Sequence, residues 1–378
     1  MTGRPFERLF DLLPTARIVG GAVRDGLLGI PVADVDFAVA MRPEQVVAAL
    51  RGAGIGVALT GLKHGTVTAI IKDGSSGGRG YEITSLRRDV TTDGRHAEVE
   101  YSDDWAEDAA RRDFTINAMS MDAQGQIFDY CGGREDLAQG RVRFVGDARA
   151  RVAEDYLRIL RYFRFYARFG RAAPDTDALA AIAQGVPGLA RLSAERVWHE
   201  LKGLLAAEDP VPALRLMQQT GVLAALLPGG ADPENVARLG PAEALLRFAA
   251  LAVDACRYTE SLRLSRAEAA LLAGYCTAQP PPVDADDDEL RRALEATPLA
   301  HLIGASRLRG DPAGFQARLA AMPRPVFGLR GRDAVALGVP AGEAVGQALA
   351  DVKRWWRAGG CRASAPQCRV ELARRLRG

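Results

Sequence analysis

Apolar and polar positions change rhythm once along this chain. Between residues 16 and 145, short β-rich runs alternate with glycine turns: ARIVGGAV, DVDFAVA, GTVTAIIKD, YEITSL, IFDY and RVRFV. Runs of this kind, bounded by turn residues, predict the strands of a mixed sheet with helices between them. The Gly/Ser run DGSSGGRG at residues 73–80 separates two of them and predicts a hairpin connection, because its backbone is permissive. Beyond about residue 146 strand signals nearly vanish. Ala, Leu and Arg then recur at helical spacing, punctuated by VPGL, PGGADPEN, QPPPVDADDD and MPRP. The pattern predicts an α+β protein whose second half is all helical. QPPPVDADDDEL, with three prolines and an acidic run, is expected to be a linker or a long helix connection.

Composition narrows the class. The 378 residues suffice for about two or three domains with a sizeable core. With 48% hydrophobic and 25% charged residues, the chain has the make-up of a globular protein rather than a disordered one. The apolar stretch at residues 242–253 is cut by Arg247 and ends at Asp254, short of the roughly 18 residues a spanning helix needs, so no membrane partner is expected. The opening MTGRPFERLF lacks the apolar core and small-residue cleavage site of an export signal. Cys131, Cys256, Cys276, Cys361 and Cys368 form no CxxC pair, which predicts reduced thiols and a cytoplasmic location. Cys361 and Cys368, the nearest pair, have no neighbouring His to complete a metal motif, and four histidines are too scattered for zinc. No adjacent His-Asp pair suggests an appended metal-dependent phosphohydrolase.

The net charge of +2 hides an asymmetry. Residues 290–378 carry 16 basic against 6 acidic groups, a net of +10, which leaves 33 against 41, a net of −8, in the rest. A basic end behind a slightly acidic body is the footprint of a chain that holds a polyanion at that end, and equally of a solvated helical surface. Nearly all the basic residues are Arg, the lysines being Lys63, Lys72, Lys202 and Lys353 alone.

Three clusters carry candidate chemistry. In IVGGAVRDGLLGIPVADVDFAVA, Asp34 and Asp36 lie two apart in a β-pattern run, so both carboxylates are expected on one face of a strand. Converging carboxylates repel, and a divalent cation such as Mg²⁺ relieves that repulsion. Gly20 and Gly21 end a strand and precede a helix, where backbone N–H groups receive phosphate; Arg24, one turn in, adds a charged donor, and Asp25 is expected to orient it or another Arg. In ARRDFTINAMS, the polar set Arg111, Arg112, Asp113, Thr115 and Asn117 is expected outside the core. Arg112 suits a triphosphate and Asp113 a ribose hydroxyl, while a capped helix start with a surface ion pair accounts for the same residues. In AEDYLRILRYFRF, Asp155 and Arg158 are expected to share a helix face at i, i+3, with Arg161 and Arg164 continuing the row; an ordinary salt-bridged helix reads the same way.

In this order and at these separations, GGAVRDGLLG, DVD, RRDFTINAM and EDYLRILR closely resemble the class II tRNA nucleotidyltransferase and bacterial poly(A) polymerase superfamily. LKHGTVT at 62–68, TDGRHAEVEYSDDW at 92–105, LSAERVWHELKGLL at 192–205 and GRDAVALGVPAGEAVG at 331–346 are similar to further family blocks, so the resemblance covers nearly the whole chain. It implies a polymerase β-type nucleotidyltransferase head at residues 1–145, a helical neck with base recognition at 146–205, and a helical body and basic tail at 206–378 that hold tRNA. By the same resemblance Asp34 and Asp36 are catalytic and hold two Mg²⁺ ions, with Glu82 a third carboxylate on a neighbouring strand. Gly21, Arg24, Arg112 and Asp113 match positions that bind nucleotide phosphates and sugar. Asp155 and Arg158 match a pair that serves as a protein template for the incoming base, and Arg161 and Arg164 are expected to add phosphate or base contacts.

Such a template has a physical basis. Cytosine and adenine each present an amino donor beside a ring-nitrogen acceptor, which an Asp acceptor and an Arg donor match. Uracil and guanine present a carbonyl beside an N–H, which sets acceptor against acceptor. The implied activity is template-independent addition of CMP and AMP from CTP and ATP to the tRNA 3′ end, the acceptor and TΨC arms being held by shape and backbone. Switching from C to A would follow the growing RNA end and movement of the TDGRHAEVEYSDD segment. Alternatives sharing these motifs are a poly(A) polymerase, disfavoured by KHGTVTAII where a GRRF-type run is expected, and a partial CC- or A-adding enzyme. From another class, a non-catalytic RNA-binding module is disfavoured by the retained Asp34, Asp36 and Arg112. The sequence carries no signal for an oligomeric state.

Overall fold

The computed structural model describes residues 6–377 except Ala33, Thr60, Lys63, His64, 73–77 and 93–96, with the backbone alone described at 88–92 and 97–99. Two compact units divide the chain, Met1–Pro228 and Gly229–Gly378.

The first unit is built on a seven-stranded sheet of order β3-β4-β5-β2-β1-β8-β9. Its strands are β1 (Arg17–Val19), β2 (Asp36–Val39), β3 (Gly56–Ala58), β4 (Thr66–Ile71), β5 (Arg79–Ser85), β8 (Met119–Met121) and β9 (Ile127–Asp129); β6 (Arg87–Thr92) and β7 (Ala97–Tyr101) form a separate ribbon. Only β2 and β5 pair in parallel, with Phe37 opposite Ile83; the other neighbours are antiparallel. After Asp36, β2 is buried at Phe37, Ala38 and Val39 on both faces, as a central strand must be. β4 and β5 pair up to Ile71 opposite Arg79, so the 73–80 run joins a hairpin as expected, with 73–77 outside the described residues.

Two expectations fail here for identifiable reasons. RVRFV is not a strand: Phe144 makes one isolated bridge to Phe114, and Val142, Phe144 and Val145 are buried in the packing around it. Phe144 stacks on Tyr162 at 5.7 Å and packs on Phe114 at 5.0 Å, so its apolar run serves a helix interface. Conversely, β3, β8 and the β6–β7 ribbon had no expected strand, being either three residues long or rich in charge.

Past β9 the described residues contain no further strand, only the isolated bridges of Phe144 to Phe114 and of Ala231 to Ala252. The helix Leu157–Phe169 buries Ile159, Leu160, Tyr162, Phe163, Phe165 and Phe169 on one side. Arg158, Arg161, Arg164 and Arg168 recur at three, three and four residues along the other, the spacing of one helical face. It packs against the helix Ala194–Leu205, whose Val197, Trp198, Leu201, Leu204 and Leu205 are buried.

The second unit is helical from Pro233 to Arg377. QPPPVDADDDEL lies inside it, joining two helices rather than dividing the chain, and Asp286 and Glu289 form a capping box on the helix Asp287–Ala296. Trp356, Cys361 and Cys368 share one buried cluster, where burial pushes both thiols up, and Trp355 packs at its margin. GVPAGEAVG leads into the helix Glu343–Ala358. No described helix is long and apolar enough to cross a membrane. Truncating the fully buried Phe114 removes a ring shared by Phe144, Tyr162 and Phe165. We expect Phe114→Ala to cost about 3–5 kcal/mol, read as a lower urea midpoint at unchanged slope; an unchanged midpoint would show that this cluster does not hold the unit.

Candidate active site

The turn after β1 sets the first wall of the site. Gly20 has φ +67°, and a Cβ there would stand 3.4 Å from Arg112 Nη1, so glycine permits both the turn and the approach. It caps the helix Gly21–Leu27, one turn into which Arg24 lies buried. Arg24 donates from Nε to Asp25 Oδ1 at 2.8 Å and from Nη1 to Asn117 Oδ1 at 2.5 Å, and lies 4.3 Å from the Phe169 ring centre. Burial lowers its pKa, Asp25 opposes that, and the nearby Arg168 and Arg164 add to it. Asp25 thus orients Arg24, as its place in the sequence suggested.

The second wall is the turn after the helix Trp105–Ala110, which Asp104 caps by accepting from the Ala106 N–H at 2.7 Å. Asp108, buried on that helix, accepts from Arg111 Nε at 2.9 Å on one oxygen and from Arg112 Nη2 at 3.0 Å on the other. Asp113 Oδ2 accepts from Arg161 Nε and Nη2 at 2.8 and 2.5 Å. Its Oδ1 accepts from the Phe114 N–H at 2.8 Å and from Asn117 Nδ2 at 3.2 Å. Thr115 and Asn117, expected outside the core, are buried in a short 3-10 turn, because Thr115 donates to the fully buried Asp136 at 2.6 Å.

The third wall corrects the expected Asp155–Arg158 helix pair. The helix Ala148–Glu154 stops at Asp155, whose backbone is extended, and the next helix starts at Leu157. Asp155 Oδ1 accepts from the Leu157 N–H at 3.0 Å, and Oδ2 from Arg196 Nη2 at 2.7 Å. Arg158 Nη1 instead donates to Glu154 Oε2 at 2.5 Å and to the Arg151 carbonyl at 2.9 Å. Capping at this break places Asp155 beside the helix that carries Arg158. Arg196 arrives because Ser193 caps its helix, setting Arg196 at the third position. Glu200, buried on the same helix, forms ion pairs with Arg164 at 2.5 Å and Arg161 at 3.7 Å, and Gly203 leaves room for the Arg164 stem.

These walls enclose a cavity of about 540 Å³. It brings together Gly20, Gly21, Arg24, Asp36, Arg112, Asp113, Asn117, Asp155, Arg158, Arg161 and Arg164 of the residues singled out from sequence, together with Phe165, Arg168 and Arg196. Asp34 and Glu82 are not part of its lining. Each of the seven lining arginines has an acidic neighbour: Asp25 for Arg24 and Arg168, Asp108 for Arg112, Glu154 for Arg158, Asp113 for Arg161, Glu200 for Arg164 and Asp155 for Arg196. Asp108, Glu200 and Arg196 went unselected in the sequence. Arg168 extends the arginine row by one turn and Arg196 occupies the N3 position of an S-x-x-R start, so those two had a readable signal; the acids had none.

Asp36 opens β2 beside the cavity, while Asp34 lies before the strand rather than in it, fully exposed and 3.9 Å from Arg79. Glu82 sits on β5, one residue before Ile83, so Asp36 and Glu82 occupy equivalent places on neighbouring parallel strands. Partial desolvation, then the charges of Glu82 and Asp34, push the Asp36 carboxyl above its ordinary range, with Arg112 opposing. Such crowded, hard oxygen donors suit a divalent cation. Among the described residues no three ligand-type side chains converge, and the Asp34 carboxylate lies near Arg79 instead.

Residues 16–143 match the poly A polymerase head domain, and residues 173–232 match a probable RNA- and SrmB-binding site of polymerase A. The chain is 36% identical over 368 residues to the mouse mitochondrial CCA tRNA nucleotidyltransferase 1, covering 92% of this chain and 83% of that protein. The chain belongs to the CCA-adding enzyme and poly(A) polymerase superfamily. A second member, the CCA-adding enzyme of Geobacillus stearothermophilus, is 43% identical over 230 residues, 60% of this chain and 54% of the relative. In structure, the superfamily's Bacillus stearothermophilus CCA-adding enzyme in complex with CTP superposes with a TM-score of 0.77 at 30% identity, over 100% of this chain and 98% of that one. The Thermotoga maritima CCA-adding enzyme complexed with tRNA, at 20% identity and a TM-score of 0.68, shares the fold.

The raised Asp36 pKa fixes the sign of a stability change. Ionised Asp36 costs the folded state at any pH above its raised value, and that cost fades as the carboxyl takes its proton in acid. In chelator, Asp36→Asn should therefore melt higher than the unmodified chain at neutral pH, the gap closing as pH falls through the carboxylate range. A lower melting temperature at neutral pH would contradict the crowding.

Proposed function

We propose that the chain adds CMP and AMP from CTP and ATP to the 3′ end of tRNA without a nucleic-acid template. One observation carries the reading: a single cavity sets a row of arginines, an acceptor–donor pair and a strand-end carboxylate within reach of one nucleotide. Arg24, Arg112, Arg161 and Arg164 would meet phosphate oxygens, for which guanidinium geometry is matched, and Gly21 would let the backbone approach them. Asp113 would accept from the ribose hydroxyls. Its two oxygens already receive four N–H groups, so a hydroxyl enters by exchanging with one of them. Asp155 keeps acceptor sites beside its bonds to Leu157 and Arg196, and with Arg158 as donor it would match the amino and ring-nitrogen edge of cytosine or adenine.

Asp34 and Asp36, with Glu82 beside them, would hold Mg²⁺, which when bound activates the RNA 3′-hydroxyl and screens the triphosphate. Asp36 supplies a fixed position at the strand start, and Asp34 completes the set by leaving Arg79. The basic helical unit would hold the tRNA. Much of its charge is internally paired, as Arg362 with Asp288, Arg369 with Asp333 and Arg374 with Glu371, so RNA phosphates compete with these acids. A cytoplasmic location belongs to the same proposal, since five free cysteines suit a reducing compartment.

The test is incorporation of labelled CTP and ATP, with Mg²⁺, onto tRNAs ending before CCA, after C and after CC, resolved to single nucleotides. Completion of all three is expected, and Asp36→Ala should lower it by about 100-fold or more while tRNA binding persists. Asp155→Ala or Arg158→Ala should relax base choice towards UTP and GTP. Addition to only some ends would mark a partial enzyme and long A tails a polymerase. No addition would overturn the reading in favour of an RNA-binding module.

A further inference from the structure

Two of the five free cysteines meet in the second unit. Cys256 lies in the short 3-10 turn Ala255–Arg257 and Cys276 in the last turn of the helix Arg266–Thr277; the two elements pack together, and the two thiols share a hydrogen bond. Neighbouring bonds pin both backbones. The Cys256 carbonyl accepts from Thr259 Oγ1 at 3.0 Å, and the buried Tyr258 accepts at its hydroxyl from the Gly229 N–H at 2.8 Å. On the helix, Thr277 Oγ1 donates to the Ala273 carbonyl at 2.8 Å, Tyr275 donates to Glu243, and Gly274 lies so near His301 that a Cβ would overlap its ring. The fold therefore holds the two sulfurs side by side, with Cys276 exposed to small solutes and Cys256 half-buried behind it. The pair closest in sequence is placed otherwise: Cys361 and Cys368 are both buried around Trp356, and Cys368 Sγ donates to the Ala363 carbonyl at 3.7 Å rather than to a thiol.

We propose that Cys256 and Cys276 are a preformed site of reversible oxidation, at which a peroxide joins the turn Ala255–Arg257 to the helix Arg266–Thr277 by a disulfide. In the first step the exposed Cys276 sulfur attacks a peroxide oxygen, the O–O bond breaks, one water leaves and Cys276 becomes a sulfenic acid. In the second the Cys256 sulfur attacks the Cys276 sulfur; the S–S bond forms, the S–O bond breaks, and the hydroxide leaves with the Cys256 proton as a second water. Each sulfur gives up one electron and the peroxide takes two. Partial desolvation, the hydrogen bond with Cys256 and the charge of Asp254 push the Cys276 thiol up, so little thiolate is present at neutral pH and the first step is slow. The second is fast, because the attacking sulfur is already in place. Such a pair stays reduced until peroxide persists, and a thiol reductant reverses it.

The experiment treats the full chain with hydrogen peroxide in the presence of dimedone, which traps sulfenic acid, then blocks the remaining thiols, digests without reductant and identifies joined peptides by mass. Natively, the Cys256–Cys276 bridge is expected as the dominant pairing, with little dimedone on Cys276 and full reversal by dithiothreitol. In concentrated urea the same treatment should give a mixture of pairings, since proximity is then lost. The oxidised chain should melt about 5 °C higher than the reduced one, because the bridge constrains the unfolded segment between the two cysteines. Cys256→Ser should abolish both the bridge and the rise and leave Cys276 carrying dimedone, whereas Cys131→Ser should keep bridge and rise. The unmodified chain decides by its peptides alone should either variant fold poorly. Dimedone on Cys276 beside an unreacted Cys256, the same mixture of pairings with and without urea, or a bridge that fails to raise the melting temperature would overturn the inference.

Discussion

The Asp113 carboxylate accepts from two directions at once, and the arrangement of the site depends on it. On one side it receives the N–H of Phe114 and the Asn117 amide, which fold its own turn. On the other it receives Arg161 from the helix Leu157–Phe169. A charge-assisted, forked contact to a half-buried carboxylate is among the stronger polar interactions a protein makes, because neither partner is fully hydrated. Here it fastens the sheet's polar turn to the arginine-bearing helix, directly beside the Phe114–Phe144–Tyr162–Phe165 cluster. Apolar packing supplies the adhesion between these elements, and the Asp113 bonds set their register.

The second constraint is charge crowding. Seven guanidiniums around one cavity repel one another, and the acids behind them offset that repulsion before any ligand arrives. Buried Asp108 and Glu200 each hold two arginines, so the row stays extended into the cavity instead of turning to solvent. On the proposed function, a triphosphate entering this site would exchange partners with those acids rather than fill an unpaired positive hole. Such exchange favours discrimination by geometry over bare affinity, since only a ligand whose oxygens match the arginine positions recovers what the acids lose. Where β2 meets the cavity the crowding is of the opposite sign: burial and the charges of Glu82 and Asp34 raise the cost of ionising Asp36, which a cation would relieve.

Much of this was legible in the sequence because local rules governed it. The strand–GG–helix turn, the arginine row at three, three and four residues and the all-helical second half each follow from short-range spacing and backbone preference, and spacing is present in the sequence. Glu82 could be placed beside Asp36 only through the family resemblance, since strand pairing is not a local property. Where local rules misled, a competing partner had won. RVRFV has strand composition, but its apolar residues are taken by aromatic rings. Asp155 and Arg158 have helical spacing, but Asp155 caps the next helix and pairs with Arg196. Thr115 and Asn117 look like surface residues, yet a buried Asp136 anchors their turn and makes their burial affordable.

The sequence by itself therefore determined the two-part α+β plan, the superfamily motifs and the identity of most groups that face the cavity. Tertiary structure alone decided which acceptor holds which arginine: Asp113 with Arg161 across 48 positions, Asp155 with Arg196 across 41, and Asn117 with Arg24 across 93. The physical reason is that an arginine can meet any carboxylate within reach and a local pattern cannot rank them. Reach is set by how the helices pack on the sheet, for which the buried aromatic cluster supplies the adhesion and the Asp113–Arg161 contact the register.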